Sequence, residues 1–338
     1  MSKNLIKTLL ATSVLFSANA LAVETIRFAT TLPNADNPET IAMNAFKKYV
    51  EFHSDNEIKV QLLQGTVGGD REILEGIQQN FFQITATTDG AFASFYPKIQ
   101  FFSIPYLFKS SSVALDFMRN SITMKAVKSE IEEKTNLKIM DYAADGFRNF
   151  VNNKQPIKSP EDLKGLKLRS MESPVMMKMI SSFGAAPTPV PFTESAMAIR
   201  QGVVDGGENP PPTIINGGWA DVIKYMSLDE HIFSGVFVVT NAQWFNKLNE
   251  NNKRVIKDGL SLYSSLMISG KGRAYLDDIE KIKQKGVQVH ISTAQEKEKF
   301  KQVAQSPVLE YLNNEFGSEF IKQVISDVEN AEQRVYSY

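Results

Sequence analysis

The chain has 338 residues, 43% of them hydrophobic and 22% charged, with a formal net charge of −1 and no cysteine. That length suits two domains of ordinary size, and the composition is that of a globular protein, not a disordered or fibrous one. A near-neutral balance offers no basic field for nucleic acid or an anionic membrane surface, and without cysteine there are no disulfides, no thiol chemistry and no lipid on an N-terminal cysteine.

The first 22 residues, MSKNLIKTLLATSVLFSANALA, place Lys3 and Lys7 before an apolar run and end in small residues at Ala20 and Ala22. This is the layout of a secretory signal peptide, cleaved near Ala22, with Ala18-Asn19-Ala20 as a second possible site. A membrane anchor fits less well, because the apolar stretch is short and broken by Thr8, Thr12, Ser13 and Ser17. A bacterial periplasm is the expected destination, with no membrane insertion of the mature chain.

From Val23 onward strand and helix patterns alternate. TIRFAT (Thr25 to Thr30) reads as a strand, and Asn37 caps a helix with Pro38 in its first position and Glu39 in its first turn. IKVQLLQ is a second strand, followed by a helix with Asp70 as N-cap and Ile73, Leu74 and Ile77 on one apolar face. FQITATTDG gives a third, short strand. The pattern restarts with a strand over Leu137 to Ala144 that meets Gly146, then LKLRS, a helix over SPVMMKMISSF, PTPVPF, a helix capped by Thr193 and ended by Gly202, and VVDGGEN. Trp244 to Gly286 reads as one long helical stretch, more natural as an element crossing two lobes than as part of one. The fold class is α/β, with a parallel or mixed sheet covered by helices on both faces.

Metal and nucleophile chemistry find little support. His53, His231 and His290 are far apart and no two have metal-ligand spacing, so each reads as a structural or surface histidine. No nucleophile elbow is present, and GTVGGDRE lacks the G-K-[ST] ending of a phosphate loop. No metal and no cofactor are expected. Three residues of the second cycle stand out: Arg148 after a strand and glycine, Arg169 at the end of LKLRS, and Asn209 at the end of a third strand. Ligands of open α/β sheets bind at such strand ends. Two guanidiniums and an amide at one sheet edge make a site for a carboxylate, whose two oxygens match the planar fork of arginine. Taken singly, each arginine would be a solvated charge or an ion pair, for example with Asp145 or Asp205.

The segments GGDREILEGIQ, FYPKIQFFSIPYLF, GFRNFVNNKQPIKSPEDLKGLKLRSMESP, GAAPTPVPFTESAMAIRQGVVDGGENP and KYMSLDEH resemble the substrate-binding proteins of tripartite ATP-independent periplasmic (TRAP) transporters, in order and over most of the chain. The resemblance implies a two-lobed periplasmic binding protein fold with hinge strands and a long helix spanning both lobes. Lobe 1 would take residues 23–145 with about 235–274 returning to it, and lobe 2 residues 146–234 with about 275–338 packing on it. It implies a monomeric receptor, not an enzyme, that closes over a small organic acid and passes it to TRAP permease membrane subunits. Arg169 matches the arginine that holds the ligand carboxylate, Arg148 a second arginine, Asn209 the asparagine that completes the site, and Phe192 a pocket-wall aromatic. Thr31, Thr88 and Asp89 fall at crevice positions of the first lobe. Where many members have R-V-P, this chain has Arg169-Ser170-Met171-Glu172, and MESP with SLDEH looks more like members that take uronate-like sugar acids. Glu172 would accept hydrogen bonds from sugar hydroxyls, or face solvent in a helix's first turn. C4-dicarboxylates and 2-oxo acids are the alternatives within the family, and a periplasmic enzyme acting on an organic acid is the alternative outside it.

Overall fold

The computed structural model describes residues 24–337, so the signal sequence read at residues 1–22 lies outside the described residues. β1 (Glu24–Thr30) and β2 (Ile58–Gln64) pair in parallel from Glu24↔Ile58 to Thr30↔Gln64, with α1 (Pro38–His53) as their crossover. α1 starts where Asn37 accepts a hydrogen bond from the Thr40 amide and Pro38 pre-sets the first turn. Its Ala42, Met43, Phe46 and Val50 are buried, with Phe46 edge-on to Phe28 of β1 at 5.5 Å. Fully burying one such side chain contributes roughly 1.5–3 kcal/mol. α2 (Asp70–Gln78) leads to β3 (Ile84–Thr88), which pairs parallel to β1 on its other side.

α3 (Asp89–Phe92), a 3-10 turn over Pro97–Ser103, α4 (Ser111–Asn120) and α5 (Ile122–Thr135) then lead to β4 (Leu137–Asn152). The second cycle comprises β5 (Lys167–Ser170), α6 (Pro174–Ser182), β6 (Ala186–Pro189), α7 (Phe192–Arg200), β7 (Gly206–Asn209), α8 (Pro211–Asn216) and β8 (Tyr225–Leu228). The chain returns along β9 (Ile232–Asn241) and closes with α9 (Ala242–Lys247), α10 (Glu250–Gln284), β10 (Gln288–Ile291), α11 (Ala294–Phe316) and α12 (Ser318–Tyr336). The strands run in the order β2-β1-β3-β9-β4-β7-β5-β6, with β8 on β4 and β10 on β8. The first lobe is built on β1, β2 and β3, the second on β5 to β8, and β4 and β9 run antiparallel from one lobe into the other.

Several sequence expectations change in detail. β4 does not end at Ala144: it absorbs Gly146 at φ +108° as an irregularity opposite β9 and continues to Asn152, so Arg148 lies inside a strand. The long helix is broken at Leu248, where Asn249 accepts from the Asn252 amide at 2.8 Å and starts α10 afresh. α10 is nevertheless 35 residues, about 52 Å at 1.5 Å per residue, and reaches from α1 past β4 to α8. Gly259 lets it approach α1, since a Cβ there would lie 2.9 Å from Val50. α12 packs on α4 and α5 of the first lobe, whereas residues 275–338 were expected on the second as a whole. α2 is capped by Gly69, whose amide donates to Glu72, and not by Asp70. α7 begins at Phe192 after Pro191, which puts Thr193 inside the helix; the Pro191 carbonyl is taken by Ser195.

Candidate functional site

A cavity lies in the cleft between the lobes. Thr31 and Thr88 line it from the first lobe, and Arg148, Arg169, Phe192 and Asn209 line it from the other side. Two of the residues expected there are elsewhere. Asp89 is buried below the cavity wall, where its carboxylate accepts from Ser103 Oγ at 2.5 Å; burial raises its pKa to about 6. Glu172 precedes α6, is exposed, and borders an adjoining groove that shares Asp70, Arg169, Met171 and Phe192 with the cavity.

Arg169 sits on β5, between β6 and β7, and is 4% exposed. Its Nε donates to the Val190 carbonyl at 2.8 Å, and its guanidinium carbon lies 5.8 Å from the centre of the Trp219 ring. No carboxylate among the described residues lies within ion-pair distance of it. Burial pulls its pKa down to about 10, more than the acids of Glu208 and Asp70 pull it back, which leaves it a cation at neutral pH. The packing that aims it is tight: a Cβ on Gly207 would come within 3.0 Å of Trp219 and 3.3 Å of Arg169 Cβ. Phe192 stacks on the same indole, at 6.2 Å and 26°. Asn209 ends β7 opposite Asn149 of β4; it is 3% exposed and its buried Nδ2 has no partner.

Arg148 is equally buried, but two of its three guanidinium nitrogens are engaged. Its Nε and Nη2 hold both oxygens of Glu208, and Nη2 also donates to the Glu208 carbonyl at 2.9 Å. Glu208 lies 3.5 Å from His231 Nε2, while His231 Nδ1 is 2.7 Å from Asp229. Asp229 in turn accepts from the Phe150 amide, and Phe150 stacks on the imidazole at 4.2 Å. Burial disfavours every charge in this row. Asp229 and Glu208 outweigh it to hold His231 up at about 9, and Arg148 outweighs it to hold Glu208 down at about 2. His231 is therefore structural, as expected. His53 is exposed, and His290 meets Glu296 at 3.1 Å.

The first-lobe wall is acidic. Asp145 is matched by Lys271 of α10 at 2.5 Å and by the Thr213 hydroxyl, also at 2.5 Å. Burial raises an acid's pKa, but Lys271 more than reverses that for Asp145 and leaves it below the usual range. Glu39 and Asp70 also line the cavity and carry no ion pair among the described residues. Burial raises Glu39 to about 7 and Asp70 to about 6, with Thr87 donating to Asp70 at 3.2 Å. Sequence reasoning missed Glu39, Asp145, Lys271, Glu208 and Trp219 as site residues. Glu208 had a usable signal, because it stands one residue before the end of a strand.

Residues 28–314 match the family model of the bacterial extracellular solute-binding proteins, family 7. A solute-binding protein of Verminephrobacter eiseniae is 30% identical over 314 residues, 91% of either chain. The solved sugar acid binding protein DctPAm of Advenella mimigardefordensis, in complex with galactonate, is 27% identical with a TM-score of 0.86, covering 91% of this chain and 98% of that one. A periplasmic solute-binding protein of Sulfitobacter sp. NAS-14.1 with bound β-D-galacturonate is 25% identical with a TM-score of 0.84, covering 91% of this chain and 100% of that one. Among other solved relatives, one shows density assigned to pantoate and one holds succinate.

Proposed function

The chain belongs to family 7 of the bacterial extracellular solute-binding proteins, and from that premise we propose that it captures a sugar acid by its carboxylate on Arg169 and hands it to a TRAP-type membrane permease. Its class is that of a TRAP solute receptor for small organic acids, not an enzyme. Export, with cleavage near Ala22 and residence in the periplasm, is part of the same reading. The observation that carries it is the buried Arg169 guanidinium without an ion-pair partner among the described residues, lining the same cavity as the unpartnered amide of Asn209. A carboxylate supplies what both lack: two oxygens for the arginine fork and an acceptor for Nδ2. The sugar-acid preference draws support from the relatives that bind galactonate and galacturonate.

Capture works by closure. The lobes touch around the cleft: Gln100 of the first lobe accepts from Ser173 Oγ and the Val175 amide at the start of α6, and Met171 covers Gly90. A ligand that gains contacts from both walls only when they meet biases the equilibrium toward this arrangement. Thermal shift of the mature chain tests the reading against uronates, aldonates, C4-dicarboxylates, 2-oxo acids and sialic acid. A binder of the folded state raises the melting temperature. A hit that disappears in Arg169→Ala, at a cost of ~3 kcal/mol or more, supports the assignment; a hit that survives there removes Arg169 from the role.

A further inference from the structure

Arg169, Trp219 and Phe192 pack against one another wholly within the second lobe. Arg169 is on β5, Phe192 opens α7, and Trp219 opens a 3-10 turn over Trp219–Asp221 that follows α8. The guanidinium carbon lies 5.8 Å from the centre of the indole, and the Phe192 ring is stacked on that indole at 6.2 Å. Two glycines deliver the tryptophan. A Cβ on Gly217 would come within 2.6 Å of the Phe192 ring, and Gly218 takes the left-handed φ of +71° that starts the turn. Trp219 is fully buried, and its Nε1 has no partner among the described residues. Its plane is therefore set by what packs on the ring, not by a hydrogen bond at its edge. Arg169 and Phe192 line the cavity, whereas Trp219 stands behind them.

We propose that Trp219 is a positioning residue for ligand capture: its indole holds the Arg169 guanidinium in place and leaves the hydrogen-bonding fork open to a ligand carboxylate. The proposal rests on the reading of Arg169 given above and deepens it. An acid in this position would also hold the arginine, but by occupying the fork, as Glu208 does for Arg148. An aromatic ring attracts the cation through its π electrons and uses none of the N–H groups. The Val190 carbonyl takes Nε alone, and Nη1 and Nη2 have no acceptor among the described residues. Because all three residues belong to one lobe, the arginine is aimed before the lobes close, which spares the ligand the cost of ordering it.

Calorimetric titration tests it with galactonate, D-galacturonate, succinate, pyruvate and sialic acid, and the tightest binder of the five carries the comparison. Trp219→Phe keeps an aromatic ring, and Trp219→Leu replaces it with an apolar side chain not much smaller than phenylalanine. Both leave a cavity, so urea unfolding of the ligand-free protein should weaken by similar amounts in the two. Affinity should separate them: about 10- to 30-fold weaker than wild type for the leucine variant, within about 3-fold for the phenylalanine variant. A loss shared equally by both, or absent from both, overturns the proposal. A spectroscopic arm keeps it testable where Trp219→Leu does not fold. The chain has two tryptophans, and Trp244 lies in the first lobe with its Nε1 on Glu24, so Trp244→Phe leaves Trp219 as the sole indole emitter. In that background Arg169→Gln should shift the ligand-free emission, and titration of the Arg169 protein with the binding acid should shift it in step with the calorimetric isotherm. Emission indifferent to both overturns the proposal, while the role of Arg169 still stands if Arg169→Ala abolishes binding. Absence of binding by all five acids overturns the receptor reading itself, and this proposal with it.

Discussion

Arg148 and Arg169 face the same cavity and are each 4% exposed, yet they do different work. Arg148 belongs to a row of four charges, with Glu208, His231 and Asp229, that pair with one another inside the protein. Arg169 is held by one backbone carbonyl and the face of an indole, and has no acid of its own. Equal burial with unequal pairing separates a structural charge from a receptive one. A buried arginine already carrying a bidentate carboxylate has little left to offer a ligand acid, whereas an uncompensated one gains most from it.

The sharpest way to break this comparison is Arg148→Met. Removing it strands Glu208 in the interior, so the ligand-free protein should lose ~3–5 kcal/mol in urea unfolding. Arg169→Ala should cost the ligand-free protein far less, since it strands no partner. A loss from Arg148→Met no larger than that from Arg169→Ala would erase the distinction.

The second prediction concerns pH. His231 is held at about 9 in the folded protein against an ordinary 6.5, and a shift of that size is worth about 3 kcal/mol. Because the folded value is the higher one, the stabilisation is complete below pH 6.5 and is lost as pH rises through 9. Urea unfolding of the wild type across that window should show the loss, and His231→Asn should flatten it. The smallest effect belongs to Glu172→Gln. That side chain is exposed outside the cavity, so stability should move by less than ~0.5 kcal/mol, and calorimetry should find affinity for the acid little changed.

The strands and helices that were read in the sequence were legible because their signals are local. The Asn37 cap, the apolar face of α2 and the alternation of LKLRS each follow from a few adjacent residues. The position of Arg169 at a strand end was legible for the same reason. What escaped was set by partners distant in sequence. Nothing near Arg148 announces that Glu208, 60 positions on, will take its charge. Nothing near Asp145 announces Lys271, which arrives on α10. Asp70 was read as a cap because aspartate favours that position, but Glu72 already served the Gly69 amide, which left Asp70 to face Thr87 and the cavity. Asn249 was a local signal overlooked, and as the N-cap of α10 it marks where the long helical stretch divides in two.

The contact between Gly90 and Met171 has a consequence for timing. A Cβ on Gly90 would lie 2.7 Å from the Met171 methyl, so the two lobes meet here without a gap. A solute behind this seam leaves only when the lobes part, and its residence time is then set by how often the door opens. Gly90→Ala crowds this seam and makes the flexible end of Met171 swing aside. Its mark would be a faster escape of the solute, read as a raised dissociation rate, more than a slower entry.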